Sequence, residues 1–210
     1  MTSVRRPALA VTAALAALAL LLARPAAAQG HDSAHGHHMA HTPITIPAGA
    51  GYTAADVEFM QGMIAHHGQA IYMSRLAAGR QADARVQRLA TKIDQSQVAE
   101  IRIMQEWLAR RGQAVPDTSA WRDMHMPGML TAAELDALAA AAGTAFDRAY
   151  LELMIRHHEG ALLMVKDLFA TAGAAQEVDA NVFANDVVSV QTAEIGAMRA
   201  LLAQLPPTGK

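Results

Sequence analysis

The segment Met63–Met73, MIAHHGQAIYM, occurs a second time in the chain as Met154–Met164, MIRHHEGALLM. Both copies have the spacing Met-x-x-His-His-x-x-x-x-x-Met, and each residue of the second stands 91 positions after its counterpart. A further pair of segments, QVAEIRIM at Gln97–Met104 and QTAEIGAM at Gln191–Met198, is 94 positions apart. Two segments repeated in the same order predict a duplicated α-hairpin.

The fold class follows from this duplication. From Thr53 onward the chain is rich in Ala, Leu, Met, Gln and Arg and has few strand-like runs, which favours helices. One α-hairpin leaves its apolar face uncovered, so two copies are expected to pack as an all-α four-helix bundle with a short connecting helix. The helices are expected at about 54–78, 82–111, 132–142, 145–172 and 175–204.

Capping signals mark the expected helix ends. Thr53, Thr131 and Thr144 each stand three residues before an acid, which predicts capping boxes whose hydroxyl and carboxylate satisfy free amides of the first turn. Glycines follow the apolar stretches where left-handed C-terminal caps are expected; they are Gly79, Gly112, Gly143 and Gly173.

The chain is predicted to contain three regions. Residues 1–28 have the layout of a signal peptide cleaved after Ala28, with two arginines before a 16-residue apolar run. That run is shorter than the roughly 20 residues of a bilayer span, so the mature protein is expected to be periplasmic or otherwise exported, without a membrane span. Residues 29–52 are expected to form a His-rich flexible tether, and 53–205 the bundle. Within the bundle, the first repeat is 53–112, the Met-rich linker and short helix 113–143, and the second repeat 144–205.

Composition excludes several classes of protein. The net charge is −2 and no basic stripe or aromatic stacking set is visible, so a nucleic-acid partner is not expected. Cysteine is absent, which excludes disulfides, thiolate metal sites and a cysteine nucleophile. The chain contains 12 methionines and 10 histidines, so any soft metal ligand must be a methionine.

Both histidines of each repeat fall on or beside the face that its helix turns inward. At 100° per residue, the first pair lies within an arc of about 140° that also contains Met63 and Met73. Imidazole with thioether suits Cu(I), and imidazole with carboxylate can hold Cu(II). The metal candidates in the bundle are Met63, His66, His67, Met73, Met154, His157, His158 and Met164. The alternative is a structural or protein-interaction bundle whose buried histidines bond to Asp56, Asp147 or backbone carbonyls.

Two other segments carry histidine or methionine clusters. The linker contains Met124, His125, Met126 and Met129, which form either a soft-metal capture loop or a plug on the bundle end. The tether contains His31, His35, His37, His38, Met39 and His41. Such tracts bind Cu(II), Zn(II) or Ni(II) loosely, although a tail of this composition can also lack a function. Met60 and Met104 are interpreted as core residues.

Catalytic motifs are missing from the sequence. No glutamate has a histidine three residues later, as a di-iron carboxylate bundle requires. His-Glu-x-x-His, Gly-x-Ser-x-Gly and phosphate-binding glycine loops are also absent. A binding protein is therefore expected rather than an enzyme; a metal-dependent oxidase remains an alternative that requires a substrate channel and open coordination positions.

These residues resemble the domain-of-unknown-function 305 family, through DVEFMQGMIAHHGQAIYM, MPGML, FDRAYLELMIRHHEGALLM and the two Gln-x-x-Glu-Ile-x-x-Met helices. The resemblance covers about residues 53–204. It implies a ferritin-like four-helix bundle of exported bacterial proteins, some of them associated with periplasmic copper binding and copper tolerance. It also implies metal ligation by the His and Met residues of the two repeats and by Met126 and Met129. Copper as Cu(I) or Cu(II) is thus the expected ligand. Zinc is a further ion for the tail, on the composition of the tail alone. A copper exporter or a cuproprotein is the kind of protein partner that this implies.

Overall fold

The computed structural model describes residues 43–207. Within this range the protein consists of helices and connecting segments, without a β-strand. The α-helices are α1 (Ala54–Leu76), α2 (Ala84–Arg110), α3 (Ala132–Ala140), α4 (Gly143–Ala170) and α5 (Val178–Leu202). Short 3₁₀ turns occupy Ala77–Gly79 and Ala120–Asp123. The predicted all-α class, with four long helices and one short connecting helix, is confirmed.

The four long helices form two hairpins that meet through their first helices. α1 packs on α2, α4 packs on α5, and the contact between α1 and α4 joins the two pairs. The inward arc predicted for α1 is buried from Asp56 to Met73. The middle of α1, from Gln61 to Ala70, is buried on all sides, because the linker covers the face that the other helices leave free.

The buried apolar side chains form two clusters, one toward each end of the bundle. One cluster contains Met63, Met104, Val165 and Val187; the other contains Met73, Ile93, Met154 and Ile195. On every long helix, the residues of one cluster precede those of the other along the chain. Each long helix therefore passes through a layer of the bundle that lies between the two apolar clusters. The polar residues in this layer are the candidate functional residues.

Two of the three predicted capping boxes are present. Thr53 pairs with Asp56 at the start of α1, and Thr131 pairs with Glu134 at the start of α3. The prediction for Thr144 is wrong, because α4 already begins at Gly143 and its cap, Ala142, makes no side-chain hydrogen bond.

The prediction of left-handed glycines is confirmed in part. Gly112, Gly143 and Gly173 have positive φ, although Gly143 is the first residue of α4. Gly79 does not have a positive φ, because the chain continues from α1 into a 3₁₀ turn. The left-handed residue comes two positions later, at Gln81, with φ 53°.

Two buried aspartates connect the hairpins. Asp56 of α1 accepts a hydrogen bond from the Ala175 amide, 2.7 Å away, in the turn before α5. Asp147 of α4 accepts from the Asp83 amide, 3.0 Å away, in the turn before α2. Burial raises the pKa of Asp147. Each first helix thus holds the turn of the opposite hairpin.

Residues 43–52, the end of the predicted tether, contact the bundle. Ile44 and Ile46 pack against the cluster that contains Trp107, and the Tyr52 ring meets the Trp107 ring edge-on at 5.4 Å. Gln113 Nε2 donates to the Thr45 carbonyl oxygen. The predicted signal peptide and residues 29–42 lie outside the described residues. Among the helices of residues 43–207, none has the length and apolar character that crossing a membrane would require.

Candidate metal centre

A polar layer separates the two apolar clusters at the centre of the bundle. Each long helix contributes two residues, and the two hairpins contribute equivalent sets. The layer consists of His66 and His67 of α1, Gln97 and Glu100 of α2, His157 and His158 of α4, and Gln191 and Glu194 of α5. Glu100 has 16% of its side chain exposed, and the other seven residues are at most 1% exposed. A buried layer of this polarity is costly unless its groups find partners.

Three of the four imidazoles are anchored through Nε2. His67 Nε2 lies 2.6 Å from Glu100 Oε2, and His158 Nε2 lies 2.9 Å from Glu194 Oε2. His66 Nε2 lies 3.1 Å from the carbonyl oxygen of Pro127. Since carboxylate and carbonyl oxygens accept hydrogen bonds, the proton belongs on Nε2 in each ring. In the neutral ring, Nδ1 then carries a free lone pair.

His157 differs from the other three because neither of its ring nitrogens has a hydrogen-bond partner. Its ring lies against that of His66, with centroids 3.8 Å apart and an interplanar angle of 38°. Burial lowers the pKa of His66 to about 3, and repulsion from His67 adds to the effect. Burial and repulsion from His66 hold the pKa of His157 well below its usual value. Both rings are therefore neutral at physiological pH, which is the form that binds a metal.

The unpaired polar atoms of the core are concentrated in this layer. In residues 43–207, every buried side-chain nitrogen or oxygen without a hydrogen-bond partner belongs to one of its members: Nδ1 of all four histidines, Nε2 of His157, both amide atoms of Gln97, Gln191 Oε1 and Glu194 Oε1. Each such atom costs about 1–3 kcal/mol. Buried polar groups are usually paired, so this layer is the candidate site for a ligand.

The methionines of the two repeats line the apolar clusters beside the layer. Met63 and Met154 each precede a histidine pair by three and four residues, and both are fully buried. Met73 is also fully buried, and Met164 is partly buried. A residue three or four positions away lies on the same helix face, so Met63 and Met154 adjoin the histidines. Met60 and Met104 are buried in the core, as predicted.

The linker between the hairpins covers the histidines from outside. Met126 to Met129 form a turn closed by a 3.2 Å hydrogen bond from the Met129 amide to the Met126 carbonyl oxygen. Gly128 in this turn has φ 78°, the left-handed value that the third residue of a type II turn requires. Gln69 fixes the turn's end on α1, because its side chain donates to and accepts from the Leu130 backbone.

The linker methionines differ in burial, and only the packing role can be compared with the structure. Met126 is 9% exposed, and its Sδ lies 3.3 Å from where a Cβ on Gly62 would stand. Met164 Cε lies 3.5 Å from the same point, so the two side chains meet above Gly62. Met126 therefore packs like a plug. Met124 and Met129 are half-buried and His125 is exposed; the candidates from His31 to His41 lie outside the described residues.

The donor set fits a soft metal ion bound by few ligands. In residues 43–207, no three side chains of His, Cys, Asp or Glu are placed to hold an ion together in this conformation. The layer offers instead a close imidazole pair, His66 and His157, two further Nδ1 lone pairs and neighbouring thioethers. Neutral imidazole and thioether are the ligands that Cu(I) prefers. The metal roles of the individual residues remain predictions.

Sequence reasoning missed the partners of the histidines. The prediction that Asp56 and Asp147 are these partners is wrong, because both aspartates accept hydrogen bonds from backbone amides instead. A backbone carbonyl, the other predicted kind of partner, does bond to His66. The carboxylates that bond to His67 and His158 belong to Glu100 and Glu194. The repeated Gln-x-x-Glu of the second helices was the signal that could have identified them.

The fold and this layer define a duplicated helical bundle with a central histidine cluster. The chain belongs to the DUF305 family, a domain of unknown function, whose profile matches residues 56–202. A DUF305 fragment from Deinococcus radiodurans is similar, with 30% identity and a TM-score of 0.64 over 73% of this chain and 99% of that one. A putative secreted DUF305 protein from Streptomyces coelicolor has 32% identity and a TM-score of 0.62, over 74% of this chain and 98% of its own.

A third similar structure is that of CopM in its Cu(I)-bound form. It is 29% identical to this chain, with a TM-score of 0.55, and the match covers 70% of this chain and 94% of CopM. CopM has also been solved in Cu(II)-bound and Ag-bound forms. No curated protein is significantly similar to the chain.

Proposed function

We propose that this protein binds copper inside the bundle and serves as an exported copper buffer or chaperone. The observation that carries the proposal is the set of Nδ1 lone pairs left free by the anchored Nε2 atoms of His66, His67 and His158. Metal-binding histidines commonly donate their other N–H to a carboxylate or carbonyl, which fixes the tautomer and the ring orientation. The similarity to copper-bound CopM supports the same proposal.

The chemistry of the layer suits copper as cargo. His66 and His157 would hold the ion through neutral imidazoles, with the thioethers of Met63 and Met154 as neighbouring soft donors. Neither ligand type has to lose a proton at neutral pH, so binding need not compete with protons there. The rings are at most 1% exposed, which would keep bound Cu(I) away from solvent. We propose a binding role without catalysis.

Export and delivery form the second part of the proposal. The layout of residues 1–28 supports a signal peptide, which would place the protein in the periplasm or outside the cell. The exposed His125 and the half-buried Met124 and Met129 of the linker are suited to receive copper first. A copper exporter or a cuproprotein would then be the partner that takes up the metal.

A structural bundle is the second candidate. Its support is that Glu100 and Glu194 bond to His67 and His158. On that hypothesis the histidines stabilise the core, and copper has no effect on them. The free Nδ1 atoms and the unpaired His157 favour the metal-binding hypothesis, because a structural layer would be expected to pair them.

A competitive Cu(I) titration with a chromophoric chelator tests the proposal. The parent protein is the full chain with its tail histidines, His31, His35, His37, His38 and His41, replaced by serine. In the test variant His66, His67, His157 and His158 are also replaced by glutamine, which is neutral and polar, and circular dichroism checks its folding. We expect the Cu(I) affinity to fall more than about 100-fold, because removing the ligands costs more affinity than removing groups that only hydrogen-bond to them. Equal affinities in two folded proteins would refute copper binding in the bundle.

A further inference from the structure

A cavity of about 500 Å³ opens on the first hairpin, between α1, α2 and the linker. Its volume falls in the range of sites that bind small molecules. Both helices contribute apolar side chains to its lining, through Ile71 and Leu76 of α1 and Val98 and Ile101 of α2. None of the eight residues of the polar layer lines it. The cavity is therefore distinct from the candidate metal centre.

The linker forms one wall of this cavity and is held close to α1. A Cβ on Gly68 would overlap the carbonyl oxygen of Thr118 and would lie 3.0 Å from Cδ1 of Trp121, so glycine is needed for this close approach. The Trp121 ring also packs against the Tyr72 ring, with centroids 5.4 Å apart. The wall thus consists of fixed backbone and two aromatic rings, as is common in preformed pockets for apolar ligands.

Two arginines that line the cavity form no ion pair with a carboxylate of residues 43–207. They are Arg102 of α2 and Arg122 of the linker. The third arginine of the lining, Arg75, donates to Asp94 at 2.9 Å. The Arg122 guanidinium lies over the Trp121 ring, 4.5 Å from its centroid, a contact that holds the cation at the wall. Two guanidinium groups beside an apolar lining favour a ligand that joins an anion to an apolar body.

Two hydrogen-bond donors of the lining are also unused within residues 43–207. They are the hydroxyl of Tyr72 and Nε1 of Trp121. By contrast, the Tyr150 hydroxyl has a partner at 3.0 Å, and Trp107 Nε1 donates to Glu177 at 2.9 Å. The aromatic side chains of this cavity can therefore donate hydrogen bonds to a ligand as well as pack against it.

We propose that this cavity binds a small amphipathic organic anion, a carboxylate attached to an aromatic or similarly compact apolar body. The guanidinium groups of Arg102 and Arg122 would bind the carboxylate. The aliphatic lining and the rings of Tyr72 and Trp121 would take the apolar body out of water. The inference goes beyond the proposed function and does not depend on it, because the cavity and the metal centre share no residue.

NMR titration with hydrocinnamate, a phenyl ring on a short chain that ends in a carboxylate, tests the inference. The readout is the indole N–H signals of the two tryptophans in the ¹⁵N-labelled full chain. We expect the Trp121 signal to shift with a Kd of about 1 mM or tighter, while the signal of the buried Trp107 stays in place. Hydrocinnamyl alcohol, which lacks the charge, and acetate, which lacks the apolar body, should each bind about tenfold more weakly or less.

Arg102→Gln/Arg122→Gln is compared with Arg88→Gln/Lys166→Gln, which removes two exposed cations outside the cavity. Both variants change the net charge equally, and their backbone amide spectra check the fold. We expect the first variant to bind hydrocinnamate about tenfold more weakly or less, and the control to bind it like the parent.

Three results would overturn the inference: an unmoved Trp121 signal, equal weakening in both variants, or a comparator that binds as tightly as hydrocinnamate. A Trp121 signal that shifts with protein concentration alone would show that a second copy covers the cavity, and would contradict the inference as well.

Discussion

Replacing Gly160 with alanine is expected to lower the free energy of unfolding by about 3 kcal/mol. A Cβ on this residue of α4 would overlap the Pro127 carbonyl group and come within 2.6 Å of Gly128 Cα. Both neighbours are backbone of the linker turn, which cannot rotate away as a flexible side chain would. The same carbonyl oxygen accepts the hydrogen bond of His66, so the substitution should also loosen the cover of the histidines.

The matched control for this variant is Gly196→Ala on α5. Gly196 is exposed, and a Cβ there would meet nothing within 4 Å. Alanine at that position should raise the free energy of unfolding by about 0.5–1 kcal/mol, because it lowers the conformational freedom of the unfolded chain. Urea denaturation of both variants measures the difference. Equal stabilities would contradict the close approach of the linker to α4.

The metal-free protein is expected to lose stability steeply as the pH falls below about 6.5. Burial lowers the pKa of His66 from 6.5 to about 3 and that of His157 also strongly. Between these values the unfolded state binds more protons than the folded state, so acid favours unfolding. Each histidine that stays neutral should lower the free energy of unfolding by about 1.4 kcal/mol for each pH unit below 6.5. Above pH 6.5 this loss is absent.

Denaturation at pH 7.5, 6.0 and 5.0 in the presence of a chelator measures this slope. The range stays above pH 4.5, because three carboxylates begin to lose their stabilising effect on the folded state below that pH. They are Asp83, Glu134 and Glu177, whose pKa values are lowered in the folded protein. In the His66→Gln/His157→Gln variant the slope should largely disappear. A variant that keeps the slope of the parent would show that other groups cause the acid sensitivity.

Much of the fold could be predicted because the duplication and the helix caps are local sequence features. The boxes at Thr53 and Thr131 each depend on residues three positions apart, and both are present. The box at Thr144 failed because α4 begins at Gly143, and its expected partner Asp147 accepts from the amide of Asp83, 64 residues away. Tertiary contacts of this kind leave no local signal.

The candidate site could be predicted only in part for the same reason. The helical period placed the two histidine pairs inward, and all four are buried. The contacts of His67 with Glu100 and of His66 with Pro127 join residues 33 and 61 positions apart. Periodicity predicts which face of a helix is buried but not which helix it meets.

The copper site in the bundle is tested most directly by NMR of the histidine nitrogens. The sample is the uniformly ¹⁵N-labelled parent, in which the tail histidines are serine. Spectra are recorded before and after one equivalent of Ag(I), a diamagnetic substitute for Cu(I). Long-range ¹H–¹⁵N spectra report the protonation of each imidazole nitrogen. We predict that the Nδ1 signals of the buried histidines move on Ag(I) addition, while Nε2 of His66, His67 and His158 stays protonated. If only His125 responds, and the four buried rings keep their signals, the histidine layer is structural and the account of a copper site in the bundle is wrong.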